Sequence, residues 1–405
     1  MNAKYFLWIL FKIRIFHLYK RDKIKKMKKI YWCIQQLEKV GGTEMVTLQI
    51  INLLKIDYEI HLIPFGFPSS EDIPYTIPEG VILENISFPK ELTQFDINFY
   101  SLLKKKHYIK AIGFLFKLIN NLLFGRFKYR KTLKNMTSNE DIIIFPSVEL
   151  MIYAPRKRNV VWHFHYNSRS YFNLPSRLFR LFARKPNSFV FLTEATKEKV
   201  HPSKNIYSTS ILNPSRFPKI LNSEYHNNTL ISACRLEDQK DPMLMMEIAL
   251  ELKKRNFPFV YNIYGKGSLK GKMIEFKEKH NLDNVNFVEG ITNLTPEYLS
   301  SDLFILTSKF EGLPLSAIEA TSLSVPIIRR EMSDPTSTFM IEGENGFIIP
   351  KRDPKLFADK IIEILSNKNY LVELKKSTYL TSKRFDESEI YNRWKIELEM
   401  MFNSY

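Results

Sequence analysis

Cysteine is scarce in this chain: its 405 residues include two, Cys33 and Cys234, each within an apolar run and neither near a second Cys or a His at ligand spacing. A disulfide framework and a zinc site are excluded as organising features, and a reducing cytoplasm fits the thiols best. No G-x-x-x-x-G-K-[S/T] loop occurs, which removes nucleotide hydrolysis of the P-loop kind. No Asp-x-Asp element occurs either, in keeping with chemistry that needs no divalent metal. Also missing is an apolar run that spans a bilayer: the longest unbroken one, Tyr5 to Phe11, is far short of the roughly 20 residues required. That run makes a poor secretory signal, because most of the positive charge follows it and no small-residue cleavage site is evident. The chain contains no repeat of fixed period and no low-complexity tract.

Positive charge is what the chain has in excess, at a net +17. Residues 1–30 hold ten Lys/Arg against one Asp and residues 101–138 hold ten against no acid, so the remainder is close to neutral. Both segments interleave charge with bulky apolar side chains, as in YFLWILFKIRIFHLYKRDKIKK and LLKKKHYIKAIGFLFKLINNLLFGRFKYRK. That pattern fits an interfacial contact with an anionic membrane surface, where each Lys or Arg contributes at most about 1 kcal/mol. Solvated basic helix faces remain the structural alternative, and nucleic acid is not the expected partner. Because MKKIYWCIQQ opens like an ordinary chain start, residues 1–27 read as a basic, apolar N-terminal extension.

With 44% apolar and 25% charged residues the chain is globular, and its length calls for two domains of about 150 to 200 residues. Short β-rich runs alternate with helix-period segments, the signature of α/β domains with parallel sheets. In the first half strands are expected at 30–35, 59–65, 81–86, 141–145, 159–164, 188–193 and 205–212. In the second they are expected at 228–234, 259–265, 285–290, 302–308 and 325–330. This gives an N-terminal domain over 28–213, a polar linker over 214–227 and a second domain over 228–380. The amphipathic segment 381–405 then packs back on the first domain. Helices are expected in TEMVTLQIINLLK and in DPMLMMEIALELKK, the latter with Asp241 as N-cap and Pro242 at its first position.

The most informative charges are Arg235 and Lys240 in SACRLEDQKDP, followed by Glu311 and Glu319 in FEGLPLSAIEA. Two cations suit a diphosphate and two carboxylates suit hydroxyl groups, and a nucleotide diphosphate sugar carries both. Glu311 falls in a loop between a buried strand and a helix start, beside free backbone amides, and Glu319 falls within that helix. Gly41-Gly42-Thr43 follows the first strand, where glycines let amides approach a phosphate. The run from Gly265 to Gly271 exceeds the dinucleotide fingerprint spacing by one residue, so it reads as a turn against a nucleotide.

In order, ACRLEDQK, IYGKGS, FVEG, SKFEGLPLSAIEA and GENGFIIP resemble the retaining glycosyltransferases of family 4, the group 1 family, over most of residues 228–365. The likeness over 28–213 is thinner. The resemblance implies a GT-B fold, two Rossmann-like domains facing across a cleft. Arg235 and Lys240 would neutralise the donor diphosphate, Glu311 would stand near the donor sugar and Glu319 would take the ribose hydroxyls. Gly312, Leu313 and Pro314 would lie where backbone amides reach sugar and phosphate, Gly41 and Gly42 where the opposite domain closes, and Ile291 and Thr292 near the nucleobase. The chain departs from the family at Phe145-Pro146-Ser147, where many members carry a His or Asp. His163 and His165 follow on the next strand and share one of its faces. His165, beside Tyr166 and Asn167, is the candidate for contact with sugar or acceptor, a structural role being the alternative.

The implied reaction moves a sugar from a UDP- or GDP-linked donor to a hydroxyl, with retention and without a metal or other cofactor. The acceptor expected from the basic, apolar segments is lipid-linked, which places the protein in the cytoplasm, peripheral on the inner face of the membrane, in capsule or lipopolysaccharide assembly. The rival readings are a nucleotide-sugar epimerase on the same fold, an NAD(P)-dependent oxidoreductase using the Gly265 turn, and a non-enzymatic module binding anionic surfaces.

Overall fold

The computed structural model of the chain describes residues 27–35, 37, 41–65, 75–86, 102–103, 106–165, 171–172, 174–202, 205–332 and 339–403. The expected extension thus lies outside the described residues except for Met27, as do Tyr166 and Asn167. Two parallel sheets form. The first contains β1 (Lys29–Ile34), β2 (Glu59–Pro64), β3 (Ile82–Leu83), β4 (Ile142–Phe145), β5 (Asn159–Phe164), β6 (Ser188–Phe191) and β7 (Tyr207–Ser210), in the order β3-β2-β1-β4-β5-β6-β7. The second contains β8 (Thr229–Ala233), β9 (Val260–Tyr264), β10 (Val285–Val288), β11 (Leu303–Leu306), β12 (Ile327–Arg330) and β13 (Gly346–Ile349), in the order β10-β9-β8-β11-β12-β13.

Inner strands such as IIIF of β4 and LFIL of β11 are buried at every position. Helices cover both faces of a parallel sheet, so these strands read as unbroken apolar runs with no polar alternation. At the edges the pattern thins: the expected strand at 81–86 shrinks to Ile82–Leu83 and that at 205–212 to Tyr207–Ser210. Each edge strand pairs on one side only.

The helices that frame the cleft and the flanks of the first domain are α1 (Gly42–Leu54), α2 (Tyr108–Asn120), α3 (Arg126–Met136), α4 (Leu174–Phe182), α5 (Pro242–Lys254), α6 (Leu315–Ser322) and α7 (Glu387–Asn403). A π-helical turn, Asn121–Gly125, joins α2 to α3. Helix α7 returns to the first domain, where Ile390, Trp394, Leu398 and Met401 enter the core formed by β1 and α1. The Trp394 ring lies 5.2 Å from that of Trp32. Glu399 accepts from Lys28 Nζ at 2.7 Å and from the Tyr58 hydroxyl at 3.0 Å, tying the last helix to the first strand.

Asp241 does not cap α5 as its position before Pro242 implies. Its backbone is left-handed, with φ at 45°, and its side chain makes no capping hydrogen bond. The carboxylate accepts instead from Arg330 Nη1 at 2.9 Å and Arg352 Nε at 2.8 Å. Two guanidinium donors hold a carboxylate more strongly than a backbone amide does, because these hydrogen bonds are charge-assisted on both sides.

Strand order reverses between β1 and β4 in one sheet and between β8 and β11 in the other. In open parallel sheets ligands bind outside the carboxyl ends of the strands at such reversals. Here the loops after both reversals line one cleft between the domains, which is the GT-B architecture.

Candidate active site

A cavity of about 580 Å³ occupies that cleft. The first domain contributes Gly42, Thr43, His165 and Asn213, and the second contributes Arg235, Lys240, Ile291, Glu311, Gly312, Leu313, Pro314 and Glu319. Gly41 and Thr292 stand outside the lining.

The loop after β8 carries the cations, and its path depends on glycine. Leu236 N donates to Lys266 O at 2.9 Å and Leu269 N to Leu236 O at 3.0 Å, pressing this loop against the one after β9. Gly265 has φ at +142°, and a Cβ there would lie 1.9 Å from Cys234 O. A Cβ on Gly267 would lie 2.4 Å from Leu236 O. The glycines of GKGSLKG thus serve close packing of two backbones, which explains why they miss the dinucleotide spacing. Cys234 lines the cavity as a thiol, since burial pushes its pKa up to about 12.

Lys240 ends a 3₁₀ turn, Asp238–Lys240, that is stitched to the segment after β11. Thr307 Oγ1 donates to Lys240 O at 2.7 Å, Lys309 N to Gln239 O at 2.9 Å and Gln239 Nε2 to Phe310 O at 3.0 Å. These bonds set Lys240 opposite Glu311, and Lys240 Nζ lies 2.5 Å from Glu311 Oε1 with both side chains largely buried. Arg235 is exposed, and its side chain makes no hydrogen bond or salt bridge to the described residues. Lys266 is a further exposed cation on the lining, one that the sequence motif shows only as part of a turn.

Glu319, inside α6, is 4% exposed. Its Oε1 accepts from Arg216 Nε at 2.5 Å, and its Oε2 faces the Tyr298 hydroxyl at 3.4 Å. Burial raises the Glu319 pKa, with Arg216 opposing the rise. Three of the four expected charges thus meet a partner of opposite sign, Lys240 and Glu311 each other and Glu319 Arg216. Sequence reasoning misses Arg216 because it belongs to PSRFPKILNSEYHNN, whose polar composition reads as a linker. Its Pro and Ser neighbours carry no signal of a site.

Ahead of α6, Gly312, Leu313 and Pro314 lie on the lining, but a proline has no amide to donate. Leu315 and Ser316, in the first turn of α6, also line this cavity, and the amides of a helix's first turn lack intrahelical acceptors. Across the cleft the Gly41 amide donates to the Tyr75 hydroxyl at 2.5 Å. A Cβ on Gly41 would sit 2.2 Å from Glu44 Oε2, so this glycine makes room for a carboxylate at the start of α1. Gly42 faces the opposite domain, its ideal Cβ position 3.2 Å from Leu315 Cδ1. Ile291 joins Tyr264, Val288 and Leu294 in an apolar part of the lining, while Thr292 is exposed to solvent.

His163 and His165 do share one face of β5, with ring centroids 3.9 Å apart, but at different depths. His163 is fully buried against Trp32 and Trp394, and both its nitrogens lack partners among the described residues. His165 reaches the cavity with Nε2 buried and unpartnered. Burial pushes the His165 pKa down to about 3, so the imidazole is neutral at ordinary pH. Ser147, at the departure from the family pattern, has a buried hydroxyl with no partner and does not line the cavity. Among the described residues no group of three or more His, Cys, Asp or Glu converges as a metal site.

Residues 215–381 match the family model described as glycosyl transferases group 1. The chain is 28% identical over 218 residues to a poly(ribitol-phosphate) alpha-N-acetylglucosaminyltransferase of Staphylococcus aureus, covering 52% of this chain and 44% of that protein. It spans about half the length, or less, of several curated relatives it matches. It is 23% identical over 384 residues, 91% of this chain and 97% of the relative, to a Campylobacter jejuni GalNAc-alpha-(1->4)-GalNAc-alpha-(1->3)-diNAcBac-PP-undecaprenol alpha-1,4-N-acetyl-D-galactosaminyltransferase. The solved structure of the pneumococcal O-GlcNAc transferase GtfA in complex with UDP and GlcNAc matches with TM-score 0.68 at 14% identity, covering 93% of this chain and 99% of that one. The fold and site thus define a GT-B protein whose second domain matches the group 1 glycosyltransferase model.

Proposed function

We propose that this chain is a glycosyltransferase that moves a sugar from a UDP-sugar to a hydroxyl of a lipid-linked glycan, with retention of anomeric configuration, in assembly of a cell-surface polysaccharide. The observation that carries the reading is the convergence of Arg235, Lys240, Glu311 and Glu319 on one cavity at the strand-order reversal of the second sheet. The bond from the sugar C1 to the diphosphate oxygen breaks, and the leaving UDP takes the electron pair. The acceptor hydroxyl oxygen bonds C1 and passes its proton to the departing diphosphate.

Arg235, Lys240 and Lys266 supply positive charge where the departing diphosphate gathers negative charge, each charge-assisted contact being worth about 1.5 to 3 kcal/mol. Glu311 stabilises the oxocarbenium-like centre that develops beside it. Glu319 takes the ribose hydroxyls after exchanging Arg216 for them, and the apolar patch of Tyr264, Val288, Ile291 and Leu294 takes the base. Neutral His165 offers a hydrogen bond to sugar or acceptor and does not serve as an acid. UDP in the GtfA structure supports the donor class, and the undecaprenol-linked substrate named for the Campylobacter relative supports the acceptor class. The two free thiols fit a cytoplasmic site of action.

The test is a panel of nucleotide sugars scored by protection against thermal unfolding, followed by release of UDP with and without undecaprenyl-linked acceptors. A ligand at about 100 times its dissociation constant adds about 2.7 kcal/mol of stability. Protection by none of them removes the reading, and donor consumption without any acceptor replaces transfer with epimerisation.

A further inference from the structure

Helices α2 and α3 form one nearly continuous rod, Tyr108–Met136, that presents apolar side chains to solvent. Ile109, Ile112, Phe116, Ile119, Leu123 and Phe127 are 88%, 67%, 73%, 44%, 42% and 57% exposed. Their spacing of three and four residues draws one stripe along a helix, the kind of face that normally packs on a core. Here the core is reached by other positions, Ala111, Leu118 and Leu133, so the stripe faces solvent, with the Arg126 guanidinium 4.9 Å from the Phe127 ring. Helix α4 extends the surface with Leu178 and Leu181 at 51% and 77% exposure. It lies alongside α3, with Arg130 Nη2 donating to Phe182 O at 2.8 Å and the Arg126 guanidinium 5.3 Å from the Phe182 ring.

Residues 101–138, which include the whole rod, contain no Asp or Glu. Burial, together with Arg126, Arg184 and Arg156 around it, pushes the Arg130 pKa down to about 10. Arg126 Nε is buried and unpartnered. Next to Arg184 a cavity of about 570 Å³ is lined by Lys157, Arg158, Lys185 and three asparagines, with no carboxylate among its lining residues. A cluster of cations that repel one another, set beside exposed aromatic and aliphatic side chains, complements a surface that is anionic at its headgroups and apolar beneath.

We propose that the face built by α2, α3 and α4, with Arg156 and the Arg184/Lys185 cavity at its border, is where the protein lies on an anionic lipid bilayer. The rod is apolar enough by length and composition to cross a membrane. Its contacts with the first-domain core, and the Arg130 bonds to Ile152 O and Phe182 O, instead hold it along the domain surface. Docking of this face is independent of the donor chemistry.

The experiment is co-sedimentation of the full chain with phosphatidylcholine vesicles, with and without phosphatidylglycerol. Binding is expected with phosphatidylglycerol only, and high salt is expected to release it. Ile112→Glu with Phe116→Glu, and separately Arg156→Ala with Lys185→Ala, each lower partitioning by about tenfold or more. Both double variants keep the wild-type thermal transition and its shift by UDP, which separates loss of docking from loss of the donor site. Four results overturn the proposal: equal binding to neutral vesicles, undiminished binding by both variants, resistance to carbonate extraction, or a soluble dimer that the Ile112/Phe116 variant splits.

Discussion

Arg216 Nε donates to Glu319 Oε1 across 2.5 Å, joining the segment between the domains to the helix at the heart of the second one. The guanidinium also lies over the Phe217 ring at 4.6 Å. In this arrangement the carboxylate proposed for the ribose already has a cation, and nucleotide binding is an exchange of partners at a buried group.

For that reason Arg216→Ala is expected to change the pH dependence of UDP binding as well as its strength. Burial already raises the Glu319 pKa and Arg216 holds it back, so the variant carries a still higher one. The protonated fraction then persists to higher pH, and affinity in the variant recovers only as pH rises further than in the wild type. Titration calorimetry across the neutral range checks this; parallel pH profiles would show that Arg216 does not govern Glu319.

Lys240→Ala is expected to lower turnover by roughly 10- to 150-fold, the equivalent of one charge-assisted contact. It also removes the Lys240 ammonium from beside Glu311, where both side chains are largely buried; Glu311 keeps other interactions, so the loss is smaller than the about 3 to 5 kcal/mol of a fully uncompensated buried charge. Combining it with Glu311→Ala should restore much of the stability and none of the activity. Chemical denaturation beside a UDP-release assay separates the two effects, and full activity in Lys240→Ala would undo the site assignment.

Two glycines of one motif should behave oppositely. Gly265→Ala places a side chain at φ +142° against Cys234 O, so strain and overlap of about 1 to 3 kcal/mol are expected, with a lower melting temperature. Gly271→Ala lies in the helix Lys270–Lys279 with open space around it and should stabilise by up to about 1 kcal/mol. Thermal unfolding of the pair decides; equal effects would mean that the two loops are not in close contact.

Acid should destabilise the first domain through its buried histidines. His163 and His165 are both depressed by burial, the latter to about 3, whereas the unfolded chain takes up protons near pH 6.5. The unfolded state therefore binds more protons, stability rises with pH, and the contribution is lost as pH falls from about 6.5 toward the folded values. The slope approaches about 1.4 kcal/mol per pH unit for each group. Denaturant titrations from mildly acidic to neutral pH should show it, and His163→Leu should flatten the slope; an unchanged slope would mean that His163 is solvated.

Much of the architecture was legible because buried parallel strands such as IIIF and LFIL are apolar at every position, and two sets of them separated by a polar stretch admit few packings. Arg235, Lys240, Glu311 and Glu319 could be picked out because each stands at a fixed place in a strand-loop-helix pattern. Their pairing could not. Lys240 meets Glu311 through a turn held by Thr307, Gln239 and Lys309, and Arg216 meets Glu319 across 103 positions of chain. Asp241 misled for a related reason: its place before Pro242 describes a local cap, while two distant arginines outcompete the backbone for its oxygens.

The order of residues alone determined which segments become strands and helices, where charge accumulates, and which four ionisable side chains follow β8 and β11. Only the tertiary structure decided which cation neutralises which carboxylate, which histidine reaches the cleft, and that the apolar stripe of α2 and α3 points outward. Periodicity along a chain records which side chains share a face, whereas the neighbour of that face is set by the packing of segments remote in sequence, and charge energies depend on that neighbour's distance and on how much water remains between them.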